Sequence, residues 1–164
     1  MALLDFFADD TNVFIESNQI ESLYIDAKQV LKYLDKWFRS NKLTLNIEKT
    51  NFIIFTTPDR RKKLNIPNTL EVNNIKINRT DQAKYLGLLI DEELNWKYHI
   101  DMLCEKIKRF FPSFYTLRNF INIDHAKSVY YATLHSRIKY GIALYGAADK
   151  TVIEPLPILQ NKLP

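Results

Sequence analysis

The chain has 164 residues, of which 46% are hydrophobic and 26% are charged, and its formal net charge is +4. This length and composition are typical of one globular domain and exclude a disordered, collagen-like or coiled-coil chain. The chain holds three glycines, one cysteine and three histidines, which excludes a glycine-rich nucleotide loop, a disulfide framework, a Cys/His zinc site and an HExxH metalloprotease helix. The single cysteine also favours a reducing, intracellular location.

Charge is unevenly distributed along the chain. Residues 1–27 include six acidic residues and no basic residue, whereas residues 28–63 include ten basic and three acidic residues. Such a distribution is typical of a metal-binding edge beside a track for a polyanion, and it also fits ordinary solvated faces of helices and loops. No apolar run approaches the ~20 residues needed to cross a bilayer, so we expect no membrane partner.

Two short strands come first in the predicted element order. Residues 3–7 and 13–15 are strand-like runs on either side of a cluster of turn-forming residues at 8–12. This pattern predicts a β-hairpin with Asp9 and Asp10 at its tip.

A long amphipathic helix is predicted next. Ser17 and Asn18 are favourable N-cap residues, and apolar side chains recur at helical spacing over residues 20–38. After the helix, the alternation of apolar residues over 43–47 and the apolar run at 52–55 predict two further strands.

The middle of the chain is predicted as a loop, a hairpin and a strand. Residues 58–63, the most basic stretch, are predicted as a polar loop that serves as a nuclear-localisation signal, as a nucleic-acid patch or simply as a disordered basic connection. Residues 70–77 are predicted as a hairpin around Asn73 and Asn74. Residues 85–90 are predicted as one more strand.

Helices dominate the remaining sequence. Apolar residues over 100–111 fall on one face of a helix that Pro112 is predicted to end. A short helical piece is predicted to end at residues 117–120, and Asp124 is the predicted N-cap of the next helix. The predicted fold class is therefore α+β, with strands and one long helix first and helices afterwards. We place the boundary between the strand-containing part and the helical part near residues 91–97.

The Phe-Ala-Asp-Asp motif at residues 7–10 contains the candidate metal-binding and catalytic residues of the sequence. Two adjacent carboxylates on a hairpin can reach one small region, and hard cations such as Mg²⁺ take one or two carboxylates together with substrate phosphates. Two such ions can clamp the attacking and leaving oxygens of a phosphoryl displacement. The same residues also fit an ordinary turn, so the motif alone leaves both interpretations open.

Several motifs follow one another in a fixed order. They are FADDTNVF at 7–14, WF with NKLTLN and KT over 37–50, KYLGLLID at 84–91, and downstream pieces at 94–100, 117–118 and 139–141. In this order and spacing they resemble the active-site hairpin, the next palm motif, the primer-grip strand and the region joining palm to thumb in reverse transcriptases of non-long-terminal-repeat retrotransposons of the jockey-like branch. The resemblance covers nearly the whole chain.

The resemblance implies an architecture and an activity. Residues 1–93 would be a partial palm that starts at the catalytic hairpin, and residues 94–164 would be a helical thumb or connector segment. The implied activity is RNA-directed DNA synthesis by nucleotidyl transfer with Mg²⁺ or Mn²⁺. The implied partners are an RNA template and a DNA primer, without a membrane, and the implied location is intracellular, nuclear and cytoplasmic.

The resemblance also implies roles for residues of the palm. Asp9 would be the main metal ligand, and Asp10 would add charge and weaker coordination. Lys49 would lie near the incoming nucleotide as a proton donor to departing pyrophosphate, or it is a solvated lysine at a strand edge. The primer-grip residues Tyr85, Leu86 and Gly87 would lie under the primer terminus, and a β-bulge at the glycine is compatible with that role.

Further roles fall in the helical part. The predicted contacts to phosphates of the template–primer duplex are Lys106, Lys108, Arg109 and Arg118, each of which also fits a solvated helix charge. A group of aromatic residues offers either stacking faces for bases or core packing. These are Phe110, Phe111, Phe114 and Tyr115.

The resemblance also predicts that parts of the polymerase are missing from this chain. Polymerases of the family need a further carboxylate from an earlier palm strand and fingers residues, which lie upstream of the hairpin. The abrupt start and end of the sequence indicate a fragment, so we expect the isolated chain not to polymerise and to aggregate through an unpaired sheet edge. A non-catalytic nucleic-acid-binding remnant and a relic or interaction module are the alternatives.

Overall fold

The computed structural model describes residues 2–7, 10–117 and 119–161, and the protein is an α+β protein as predicted. The chain divides into two compact units, Met1–Asp81 and Gln82–Pro164. The predicted palm-to-thumb boundary, between residues 93 and 94, concerns domain identity and stays a prediction. Within the part of the chain that the structure describes, no helix is both long enough and apolar enough to span a bilayer.

The first unit begins with the predicted hairpin, which is confirmed. Strand β1 (Ala2–Phe7) pairs antiparallel with strand β2 (Asp10–Ile15), and Phe7 lies opposite Asp10. Because β2 begins at Asp10, residues 11–12 lie in the strand rather than in the predicted turn. Apolar side chains of this hairpin are between 41% and 60% exposed; they are Leu3, Leu4, Phe6, Phe7 and Phe14.

Helix α1 (Ile20–Ser40) packs on the small sheet of the first unit. The predicted helix is confirmed, although its N-cap is Gln19 rather than Ser17 or Asn18. The Tyr24 hydroxyl donates a hydrogen bond to the Pro67 carbonyl at 2.8 Å. The buried core of this unit consists of Leu31, Leu70, Val72, Ile75 and Ile77.

A three-stranded sheet completes this core. Strand β4 (Thr69–Val72) pairs antiparallel with β5 (Ile75–Arg79), which pairs in parallel with the short strand β3 (Asn51–Phe52). Asn73 and Asn74 join β4 to β5 with φ angles of 50° and 65°. Asparagine tolerates this left-handed conformation, and the predicted hairpin is confirmed.

Three predictions in the first unit differ from the structure. The strand predicted over residues 52–55 is present only at Phe52, because β3 spans Asn51–Phe52 and residues 53–57 have no regular structure. Residues 43–47 form no strand, because their alternating apolar side chains have no partner strand; only Leu45 packs against the core. The predicted basic loop is helix α2 (Pro58–Lys63), which starts with a proline at the first helical positions and an aspartate in the first turn, both favourable there. The Arg60 guanidinium donates to the Asn18 carbonyl.

The second unit opens with a hairpin where one strand was predicted. Strand β6 (Gln82–Tyr85) pairs antiparallel with β7 (Leu88–Asp91), and Tyr85 lies opposite Leu88. The residues between them, Leu86 and Gly87, have φ angles of 45° and 83°. The prediction of a continuous strand over 85–90 is therefore wrong, since Gly87 belongs to a tight turn and not to a bulge.

Helix α3 (Lys97–Leu117) is the main helix of the second unit and continues through Pro112, which was predicted to end it. Burial explains the difference, because Phe114 beyond the proline is buried and Phe110 and Phe111 before it pack against the core. This packing outweighs the roughly 3 kcal/mol by which an interior proline destabilises a helix.

The helices after α3 close the second core. Asn122, rather than Asp124, caps helix α4 (Ile123–Tyr130) by accepting from the His125 N–H at 2.9 Å. A π-helical turn (Tyr131–His135) and helix α5 (Ser136–Lys139) follow. Short helices complete the unit: α6 (Ile142–Tyr145), α7 (Lys150–Ile153) and α8 (Pro155–Gln160). The core consists of Ile100, Leu103, Cys104, Ile107, Leu134, Ile138, Tyr145 and Leu156.

The short helical piece predicted to end at residues 117–120 is not a separate element, because α3 continues through Pro112. Leu117 is the last residue of α3, and residues 119–120 form a turn. Of the aromatic residues with two predicted roles, Phe110, Phe111 and Phe114 fill the core, whereas Tyr115 is exposed.

Candidate functional site

The predicted catalytic hairpin contributes one described carboxylate. Asp10 is the first residue of β2, and its side chain is exposed. Within the described ranges, no hydrogen bond or ion pair engages the Asp10 carboxylate, so its oxygens are open to a hard cation. Asp9 lies outside the described residues.

No cluster of three or more potential metal-ligating side chains occurs in the described part of the chain. The predicted metal site therefore consists of the Asp9 and Asp10 pair, of which the structure describes one member. Coordination of Mg²⁺ or Mn²⁺ by this pair stays a prediction.

Lys49 lies in a tight turn and not at a strand edge. Its backbone N–H donates to the Asn46 backbone carbonyl and side-chain oxygen, both at 3.2 Å. The Thr50 hydroxyl donates to the same Asn46 carbonyl at 2.7 Å. The Lys49 side chain is exposed, which leaves its ammonium group accessible to a ligand.

The predicted primer-grip residues form the β6–β7 turn and the strand end before it. The Tyr140 hydroxyl donates to the Leu86 carbonyl and fixes the turn against the chain that follows α5. A side chain at Gly87 would approach the Tyr140 ring to 3.4 Å, and one at Gly141 would meet Leu88 at 2.6 Å. Both glycines have positive φ angles. The backbone conformation therefore favours glycine at both positions, and at Gly141 the clash with Leu88 favours it as well.

The predicted phosphate contacts on α3 differ in their surroundings. Lys108 forms an ion pair with Glu105 at 2.9 Å, and the hydrogen bond between them raises the pKa of Lys108 and lowers the pKa of Glu105. Lys106 and Arg109 are exposed at an i, i+3 spacing, which puts them on one side of the helix. Arg118 lies outside the described residues.

One cavity of the second unit brings Lys106 close to the β6–β7 turn. Its volume is about 240 Å³. We call it the His99 cavity, and its lining includes Gly87, His99, Lys106, Ser136, Arg137 and Tyr140.

His99 is the most buried polar side chain of this cavity. It is 1% exposed and packs between the rings of Trp96 and Tyr145, with centroid distances of 6.3 and 5.1 Å. Its Nδ1 accepts the Leu89 N–H at 3.2 Å. Burial, and secondarily the charge of Lys106, lower the pKa of His99.

Sequence reasoning did not identify the side chains that join Lys106 in this cavity. His99 comes seven positions before Lys106, so both lie on one face of α3. That spacing is visible in the sequence. The approach of Arg137 on α5 to the same cavity is not visible in the sequence, because it depends on how α5 packs.

Curated relatives align with almost the entire chain. The "Probable RNA-directed DNA polymerase from transposon X-element" of Drosophila melanogaster is 26% identical over 166 residues, which cover 99% of this chain and 18% of the relative. The "RNA-directed DNA polymerase from mobile element jockey" of Drosophila funebris is 24% identical and covers 98% of this chain and 17% of the relative. The "Probable RNA-directed DNA polymerase from transposon BS" of Drosophila melanogaster is 26% identical, with 98% and 18% covered.

The match to these relatives agrees with the resemblance seen in the motifs. The chain spans less than one fifth of the length of the curated relatives it matches. No protein-family model and no solved structure matches it. The resemblance predicted from the motifs is nevertheless confirmed, because the chain is similar over 98% to 99% of its length to RNA-directed DNA polymerases of the X-element, jockey and BS mobile elements.

Proposed function

We propose that the chain is the part of a retrotransposon RNA-directed DNA polymerase that contains the metal-binding hairpin, the following half of the palm and the beginning of the thumb. The observation that carries this proposal is the similarity to such polymerases over 98% to 99% of the chain. The α+β fold, with a hairpin at Asp10 and helices in the second unit, is compatible with it.

The hairpin would hold the catalytic cation. Asp9 and Asp10 would be its carboxylate ligands, and the exposed Asp10 carboxylate, which no described residue engages, suits a hard cation. A bound Mg²⁺ or Mn²⁺ ion supplies Lewis-acid stabilisation of charge on phosphoryl oxygens. Lys49 would protonate departing pyrophosphate, a role that its exposed side chain permits.

The second unit would contact the template–primer duplex. The turn at Tyr85, Leu86 and Gly87 would approach the primer terminus, and Lys106 and Arg109 would contact backbone phosphates. Phosphate contacts of this kind are independent of base sequence and weaken as salt increases. A duplex of an RNA template and a DNA primer is therefore the proposed partner.

We further propose that the 164-residue chain alone does not polymerise. It corresponds to 17% or 18% of the length of each relative, and the additional carboxylate and fingers residues that the family requires would lie in another part of such a polymerase. Primer extension on an RNA template with Mg²⁺ tests this directly. Extension by the chain that Asp9→Ala abolishes would contradict the proposal.

Metal binding is testable without polymerisation. We expect Mn²⁺ to broaden the NMR signals of β1 and β2, and we expect Asp9→Asn and Asp10→Asn each to weaken this effect, because each removes an anionic ligand. Asp59→Asn in α2 is a matched control, since it removes an acidic charge elsewhere in the first unit. Broadening that is unchanged in both hairpin variants would contradict the proposed metal site.

A salt series distinguishes the proposal from a non-catalytic nucleic-acid-binding remnant. We expect binding to an RNA–DNA duplex to weaken as salt rises, and to depend on Asp9 and Asp10 when Mg²⁺ is present. Binding that falls with salt but is indifferent to Asp9→Asn would support the remnant instead. Absence of binding at low salt would support a relic without nucleic-acid affinity.

A further inference from the structure

His99, which lines the cavity, has a buried hydrogen-bond donor for which the described residues supply no acceptor. Because His99 Nδ1 accepts the Leu89 N–H at 3.2 Å, the proton of the neutral imidazole is on Nε2. Burial and nearby Lys106 lower the pKa of His99, which keeps the ring neutral at physiological pH. Within the described ranges, Nε2 is buried and has no hydrogen-bond partner.

An unpaired buried donor destabilises a fold, and native proteins normally satisfy it with protein, water or a ligand. The surroundings of Nε2 indicate which kind of partner fits. Lys106 and Arg137 line the same cavity, and no carboxylate is among the residues that line it. In the described part of the chain, neither cation has an ion-pair partner.

The hydroxyl groups in the cavity are already engaged as donors. The Ser136 hydroxyl donates to the Ala132 carbonyl at 2.7 Å, and the Tyr140 hydroxyl donates to the Leu86 carbonyl. Among the side chains of the described lining residues, the imidazole N–H and the two cations are therefore the donors left to a ligand. Such a set favours an anion that has several acceptor oxygens.

We propose that the His99 cavity binds a phosphate group, whose oxygens accept from His99 Nε2, the Lys106 ammonium and the Arg137 guanidinium. The volume of about 240 Å³ is roughly eight times the ~30 Å³ share of one liquid water molecule, so a phosphate group with some water fits. The proposed phosphate site is argued from these donors and this volume alone. Only the suggestion that the phosphate belongs to a nucleic-acid backbone rests on the proposed function.

Titration of the whole chain with inorganic phosphate tests the site. We expect saturable changes in the NMR signals of His99 Nε2, with no change when chloride is added to the same ionic strength. Lys106→Met and Arg137→Met should each weaken phosphate binding about tenfold or more, because each removes a charge-assisted hydrogen bond. Both side chains are exposed, so these variants should fold.

Lys97→Met is the matched control. Lys97 lies on the same helix, pairs with Asp101 at 3.2 Å and is not among the residues that line the cavity. The Lys97→Met variant should therefore bind phosphate as tightly as the unchanged chain. An equal loss in Lys106→Met and Lys97→Met, or no saturable change at His99, would overturn the proposal in favour of a bound water molecule.

Two substitutions of His99 separate its two nitrogen atoms. Asparagine keeps an acceptor near the position of Nδ1 but no donor at Nε2, whereas glutamine can place an amide N–H near Nε2. We expect His99→Asn to lose phosphate binding and His99→Gln to retain more of it. The reverse order would contradict the role of Nε2 as the donor, and circular dichroism checks that both variants fold.

The source of the phosphate is decided by comparing ligands. If the site takes a backbone phosphate, Lys106→Met and Arg137→Met weaken binding of an RNA–DNA duplex, and inorganic phosphate competes with the duplex. If duplex binding is unchanged while binding of phosphate or pyrophosphate is lost, the cavity is a site for the free anion. Neither result depends on metal binding at the hairpin or on primer extension, so the two proposals can fail separately.

Discussion

Asp91 is buried at the end of β7, and its carboxylate accepts three backbone hydrogen bonds. One oxygen accepts from the N–H groups of Glu93 and Asn95 at 3.1 Å, and the other accepts from Trp96 at 2.9 Å. These bonds fix the connection between β7 and α3. Trp96 in turn accepts from Ile100 through its carbonyl, so a single carboxylate positions the start of the main helix.

We expect Asp91→Ala to lower the free energy of unfolding by ~3 kcal/mol, because it leaves backbone N–H groups in a partly buried loop without their acceptor. Urea denaturation followed by Trp96 fluorescence in a Trp37→Phe background measures this. Asp101→Ala is the control, since Asp101 forms only an exposed ion pair with Lys97, and its loss should change stability by less than ~1 kcal/mol. Equal effects would contradict the assigned role of Asp91.

His99 should make stability depend on pH. Its pKa is lowered in the folded state, first by burial and then by Lys106, and Arg137 lines the same cavity. As the pH falls through the ordinary histidine value of 6.5, the unfolded chain takes up a proton that the folded chain resists. The unfolded state then binds more protons, so stability decreases toward acidic pH.

Urea denaturation at about pH 7.5 and about pH 5.5 measures this dependence, since ordinary histidine titrates between these values. His99→Gln should reduce the loss of stability on acidification. An unchanged loss in His99→Gln would show that another group is responsible.

The β6–β7 turn is a hairpin connection that contains a disfavoured residue. Both Leu86 and Gly87 have positive φ angles, the arrangement for which Asn-Gly is the preferred pair. We expect Leu86→Asn to raise the free energy of unfolding by ~1 kcal/mol, because leucine is disfavoured in the left-handed region. Gly87→Ala should lower it by a similar amount. Urea denaturation compares them, and equal signs for the two changes would contradict this account.

Local signals in the sequence were sufficient for some elements. The β4–β5 hairpin was predicted from Asn73 and Asn74, since a positive φ angle is a property of the residues themselves. The helix Ile20–Ser40 was predicted because its apolar stripe repeats over five turns or more. These features need no knowledge of what packs against them.

Elements that depend on packing were not predicted. Pro112 has the local properties of a helix terminator, yet the burial of Phe114 beyond it holds the helix together. Residues 43–47 alternate as a strand does, but no strand lies beside them. In both cases the secondary structure depends on what packs against the segment and not on its own residues.

The candidate site likewise includes residues that the sequence predicts and residues that only the packing brings together. Asp10 and Gly87 were named from the motifs along the chain, and Lys106 was named as a basic residue of the predicted helix that follows them. The His99 cavity was not predicted, because it forms only when β6–β7, α3 and α5 pack together and because the free nitrogen of His99 is defined by the Leu89 N–H. Sequence spacing cannot reveal that hydrogen bond.

The two units of the molecule have separate cores. The core of the second unit contains only residues from 96 onward, and strand β7 adds the buried Leu88 and Asp91. We therefore expect residues 82–164 alone to unfold cooperatively in urea, because they contain a complete core. Circular dichroism at 222 nm measures the transition.

A fragment that starts at the predicted domain boundary, residues 94–164, is the informative comparison. It lacks β6 and β7, and with them the N–H of Leu89 that binds His99 and the carboxylate that fixes the start of α3. It should unfold at a lower urea concentration than residues 82–164. Equal midpoints would show that the hairpin does not stabilise the helical unit.

The pairing of β6 with β7 also restricts how this protein can change in length. Successive residues of a strand point to opposite faces, so one residue inserted within β7 would turn the side chains that follow it to the wrong side. Asp91 would then leave the loop that it holds. Natural insertions or deletions within β7 should therefore occur in pairs of residues, or not at all.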